Sequence, residues 1–60
     1  MREVPQLAPD VRVRIKNADY VPQYNNGLGT IVDYDKYNRR WKVQMDMDKR
    51  VLGFKESELH

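Results

Sequence analysis

Two aspartate doublets, Asp33/Asp35 and Asp46/Asp48, are the spacing in this 60-residue chain that most resembles acid–base or metal chemistry. Paired carboxylates hold a proton or a divalent cation only when they converge in space, with a nucleophile or an orienting group beside them. The rest of the composition supplies neither. Cysteine is absent, the single histidine is the terminal His60, and the only serine is Ser57 in the polar stretch KESELH. The doublets therefore read as turn-forming and cross-strand residues. No enzyme activity, metal or cofactor is expected.

The second chemical pattern is basic. Lys36, Arg39, Arg40 and Lys42 cluster in KYNRRWK, interleaved with Tyr37 and Trp41, and Arg12, Arg14 and Lys16 line one side of VRVRIK. Cations beside aromatics suit phosphate contact with base stacking, and equally suit an acidic protein surface. The net charge is only +2, from 11 Lys and Arg against 9 Asp and Glu. Both signs are interleaved, whereas a dedicated nucleic-acid arm carries blocks of one sign. The third pattern is tyrosine in irregular segments. Tyr20 and Tyr24 fall in NADYVPQYNNG, and Tyr37 falls between two strand-like runs. A loop tyrosine is a good interface residue, rigid and apolar with a polar tip. With Asp19, Tyr20 and Tyr24 also have the makings of an aromatic cage for a methylated cation. A tyrosine ahead of Asn-Asn-Gly is just as suited to folding back as a plug over one end of the core.

The elements that hold these residues are legible from period. Val11, Val13 and Ile15 alternate with Arg12, Arg14 and Lys16, a period of two that predicts a strand with one apolar and one cationic face. Residues 17–27 predict a long loop, because Pro22 and Asn-Asn-Gly disfavour regular structure. GTIVDYD from about Gly29 and RRWKVQMD predict a hairpin closed by a four-residue loop at 36–39. The register Asp35–Arg40, Asp33–Lys42, Tyr34–Trp41, Val32–Val43 and Thr30–Met45 puts opposite charges on one face and apolar pairs on the other. In it Gly29 opposes Asp46, so the two aspartate doublets stand at opposite ends of the hairpin. Trp41 and Tyr34 are expected in the core. A turn at 46–48 leads to a strand over 49–54, and KESELH predicts one helical turn that tucks Leu59 under the sheet. The expected fold is all-β: a small barrel of four to five short antiparallel strands over residues 10–60, behind an extended tail at 1–9.

In that order, VRVRIKN, GLGTIVDYD, RWKVQMD and VLGFKESEL resemble the small SH3-like barrels of the KOW and Tudor-like kind, over about residues 10–59. The resemblance implies a binding module, with RNA, DNA or protein as partner. The order VRIKN, GTIV, VLGF, SEL is also similar to the SH3-like stromal subunit of photosystem I that helps to dock ferredoxin. That family carries Ser-Tyr-Trp after its first strand, where this chain has Ala18-Asp19-Tyr20, and the departure puts ferredoxin docking behind the other readings. The main expectation is a non-catalytic protein-docking module or accessory subunit, with contacts at Tyr20, Tyr24, Lys36, Tyr37 and Arg39. The alternative, a KOW-like nucleic-acid binder or the docking of an acidic redox protein, uses Arg12, Arg14, Lys16, Arg40 and Lys42.

Size bounds all of this. A 60-residue domain without disulfide or metal rests on one apolar core, which leaves roughly 3–5 kcal/mol of net stability. The longest apolar runs are two to three residues, so no membrane span is expected. MREVPQLAPD lacks the apolar stretch of a signal peptide, and a cytosolic, nuclear or organelle-interior setting follows as the expectation.

Overall fold

The computed structural model describes residues 7–59. Most of the expected 1–9 tail, namely 1–6, lies outside them, as does His60. The described chain is all-β: a four-stranded antiparallel sheet in the order β1-β2-β3-β4, with β1 at Arg12–Arg14, β2 at Leu28–Asp35, β3 at Arg40–Met45 and β4 at Val51–Phe54. Two 3-10 turns, Pro22–Tyr24 and Glu56–Glu58, complete it. No helix among the described residues is long and apolar enough to cross a membrane.

β1 behaves as its alternation requires. Val13 and Ile15 are buried while Arg12, Arg14 and Lys16 face water. Its pairing with β2 runs past the strand ends, through Ile31 N–H to Val11 O (2.9 Å) and Ile15 N–H to Gly27 O (2.9 Å). On the other side of the strand, Ile15 bridges Leu59, and Lys16 N–H donates to Glu58 O at 2.8 Å. Leu59 is buried, as the single apolar residue of the tail predicts.

The hairpin closes at 36–39 with Asp35 opposite Arg40, Asp33 opposite Lys42 and Tyr34 opposite Trp41. Beyond that the expected register fails by one residue. Ile31, not Val32, faces Val43, Thr30 faces Gln44, and Gly29 faces Met45 rather than Asp46. The cause is a bulge between Ile31 and Asp33. In an unbroken strand Ile31 would share a face with Asp33 and Asp35, so burying the isoleucine would bury two carboxylates. One extra residue inverts the alternation, leaving Ile31 fully buried and neither aspartate in the core. Val32 bears the cost and is exposed.

The structure also corrects the expectation for the hairpin aromatics. Tyr34 and Trp41 meet edge to face, 4.7 Å between centroids, but Tyr34 is 41% exposed and Trp41 packs on the margin of the core. The core itself is Val13, Ile15, Ala18, Tyr24, Ile31, Val43, Met45, Phe54 and Leu59. Phe54 is the largest fully buried side chain.

Candidate functional site

Residues 17–27 place their two tyrosines at different sites. Tyr24, at the end of the Pro22–Tyr24 turn, is buried at 4% exposure, and its hydroxyl donates to the Asp48 carboxylate in the β3–β4 turn. It is the plug and not an exposed contact. Tyr20 remains 54% exposed. Its ring lies 6.2 Å from Phe54, and the Arg40 guanidinium stands 5.7 Å from its centroid. Burial against these neighbours pushes the Tyr20 phenol above its ordinary range, while the positive charge of Arg40 pulls the other way. With the two rings at separate sites, Tyr20, Tyr24 and Asp19 form no cage.

Tyr20 and Arg40 line a concavity of about 340 Å³ together with Asp35, Asn38 and Gly53. Each wall has a local cause. Asp35 ends β2 and folds the hairpin tip over itself: its carboxylate accepts from the Tyr37 and Asn38 backbone N–H groups (3.0 and 3.2 Å) and from Asn38 Nδ2 (2.8 Å). These bonds hold the Asp35 carboxyl below the usual carboxylate range, the Asn38 side chain most of all. Gly53 has no side chain, so the Arg40 stem passes across β4 there; a Cβ at that position would lie 3.4 Å from Arg40 Cβ and Cδ. Lys36, Tyr37 and Arg39 form the exposed tip bordering this wall, Tyr37 at 89% exposure, with Arg39 in the left-handed region (φ 55°) that returns the chain to β3.

The other cations are dispersed. Arg12 donates to Asp46 Oδ1 (2.7 Å) and Thr30 Oγ1 (2.9 Å), and a second bond to Asp46 makes the pair bidentate. It is the one ion pair among the described residues. Asp33 and Asp35 stand opposite Lys42 and Arg40 in register but form no ion pair with them. Asp33 accepts from the Tyr34 N–H (2.8 Å) instead. Arg14 and Lys16 stay on the β1 face, away from the hairpin tip.

A second concavity, also of about 340 Å³, is more apolar and runs between Tyr24, Gly27, Leu28, Met45, Asp46 and Met47. Its β3–β4 turn is held on both sides, by Arg12 on Asp46 and Tyr24 on Asp48. Arg12 holds the Asp46 carboxyl, and Tyr24 the Asp48 carboxyl, below the ordinary range; the Tyr24 phenol is correspondingly raised. The two ends of the pH scale follow. A lowered folded-state carboxylate binds fewer protons than the unfolded chain, so its contribution is whole above about pH 4 and is lost as pH falls through the lower folded values. Tyr24 has the opposite sense: its contribution is whole below about pH 10 and is lost as pH rises through the raised folded value. Urea midpoints measured from pH 2 to 11 are expected to fall at both ends. Tyr24→Phe is expected to reduce the alkaline fall to the part that Tyr20 carries, while keeping the part of the acid fall that Asp35 and Asp46 carry.

Sequence reasoning pointed to Tyr20 and Arg40 separately and missed that they meet. It also missed Asp35, Asn38 and Gly53 as walls. The Gly in VLGF, a small residue where a strand should carry a side chain, was the available signal for a close crossing. No family model matches this chain, and no curated protein or solved structure does either.

Proposed function

We propose that the chain is a non-catalytic docking module of the SH3-like barrel kind, which holds a protein partner at the Tyr20–Arg40 concavity. The observation that carries this is the ring of Tyr20, half exposed yet fixed between Phe54 and the Arg40 guanidinium beside an open concavity. Tyrosine and arginine dominate binding energy at protein interfaces because both bring large, pre-ordered surface. The barrel reading is supported by the succession of strand, long loop, three strands with tight turns and a 3-10 turn. It is supported further by the Ile15–Leu59 bridge, which brings the end of the described chain back beside β1.

A nucleic-acid reading finds less support. Arg12 is committed to Asp46 and Thr30, Arg40 stands over Tyr20, and Arg14 and Lys16 lie along β1, with β2 between them and Lys42 on β3. The test pairs two measurements. Proteins retained from a source lysate by the wild-type chain are expected to bind about 30-fold or more weakly to Tyr20→Ala, whose fold survives because the ring is half exposed. Nuclear magnetic resonance titration with mixed oligonucleotides is expected to give no shifts at about 0.15 M salt. Shifts on Arg14, Lys16, Arg39 and Lys42 that persist at that salt, with protein capture indifferent to Tyr20, would overturn the docking reading.

A further inference from the structure

The concavity opens on an unpaired sheet edge. β4 is the last strand in the order, and no described strand pairs with its outer side. In an antiparallel ladder, alternate residues exchange both backbone bonds with the partner strand while those between turn their N–H and C=O the other way. The Met45 N–H donates to Arg50 O at 2.8 Å, and the register continues with Val43 opposite Leu52 and Trp41 opposite Phe54. Leu52 and Phe54 are thus the residues bonded to β3. Val51 and Gly53 present their backbone groups to the open side.

Charge sets what that edge accepts. The Arg40 stem crosses β4 over Gly53 and delivers its guanidinium beside Tyr20. Lys42 stands opposite Gly53 in register, and Arg50 and Lys55 flank the strand, all three exposed. Of the acids nearby, Asp35 bonds to Asn38 and Tyr37, Asp33 accepts from the Tyr34 N–H, and Glu58 accepts from the Lys55 N–H at 2.8 Å. Flanking cations disfavour pairing with the same edge of a second copy, and the same cations favour a strand that carries carboxylates. The missing side chain at Gly53 leaves the path from such a carboxylate to Arg40 open.

Resting on the docking reading above, we propose that the partner enters as an extended acidic segment that adds to the outer edge of β4. Its backbone pairs with Val51 and Gly53, and one of its carboxylates takes the Arg40 guanidinium. Strand addition gains affinity from main-chain bonds and specificity from alternate side chains, which matches an edge with two residues whose backbone groups face outward and a cation standing over one of them.

The probe is a capped octapeptide alternating Glu with Thr and Val, titrated into the nitrogen-15-labelled chain beside a matched peptide with Lys in place of Glu. Two further versions carry N-methyl groups on every second amide, one in each phase. The acidic peptide is expected to shift the Val51 and Gly53 amides and slow their hydrogen exchange, and the Lys peptide to do neither. One N-methylated phase is expected to keep binding and the other to lose it. Arg40→Ala is expected to weaken binding about tenfold. Equal binding by both N-methylated phases, with shifts confined to Tyr20 and Arg40, would sink strand addition and leave docking at the concavity standing. No binding by the acidic peptide, or equal binding by the Lys peptide, would also overturn the proposal, and the capture experiment with Tyr20→Ala then judges docking by itself.

Discussion

Phe54→Ala is expected to leave the chain largely unfolded at room temperature. Phe54 is completely buried and is the largest residue so placed, in contact with the core on one side and with the Tyr20 ring on the other. Removing a buried phenyl group costs about 3–5 kcal/mol through lost transfer energy and the cavity left behind. The domain's whole stability is of that same order. Loss of amide dispersion in a nitrogen-15 spectrum, with a collapsed urea transition, checks it; a cooperative transition near the wild-type midpoint would refute it. Phe54→Leu separates folding from the site. Leucine keeps the position apolar and most of its volume, so the chain stays folded, but the flat support beneath Tyr20 is gone. Capture of the partner is then expected to weaken while the thermal transition persists.

How far the sequence foretold this depends on the range over which each decision is made. β1 was legible because Val13 and Ile15 alternate with cations, and two-residue periodicity is a local signal. The hairpin tip was legible because Asp35, Asn38 and Arg40 settle it among near neighbours. The bulge was not. The charge and apolar matches along the hairpin favour one unbroken register, and whether isoleucine or valine fills the space beneath β1 and β3 is decided only in the assembled sheet. Tyr24 illustrates the same limit in the long loop. Its neighbours mark it as a turn residue, but Asp48, 24 residues later, decides that it is a buried plug. The Tyr20–Arg40 pairing depends on a loop and a strand meeting across Gly53, so no spacing along the chain announces it. The Asn-Asn-Gly run does turn the chain, and it does so at an asparagine. Asn26 takes the left-handed conformation (φ 69°), and none of the glycines does.

That last point makes Gly29 a question of space. Gly29→Ala is expected to be severely destabilising, and Gly53→Ala nearly neutral, although both glycines sit in strands. A Cβ at Gly29 would lie 2.6 Å from Val43 Cγ1 and 2.8 Å from the Gln44 carbonyl oxygen. The valine methyl group belongs to a fully buried side chain and the carbonyl to the β2–β3 ladder, so neither yields without opening the hairpin where β1 also pairs. Overpacking of this kind costs about 1–3 kcal/mol or more, a large part of what a domain of this size has. At about 4–8 °C per kcal/mol for a chain this short, the melting temperature falls by some ten degrees or more. At Gly53 the nearest atoms are 3.4 Å away and belong to the Arg40 stem, a flexible side chain on the exposed face. A methyl group there lifts the arginine slightly and leaves the sheet alone. Thermal melts of the two variants side by side check the contrast. Equal melting temperatures would mean that the close approach of β2 to β3 at Gly29 does not exist in solution. A stable Gly53→Ala chain with weakened partner capture would instead locate the effect in the crossing of Arg40, because the fold would be intact and only the guanidinium beside Tyr20 displaced.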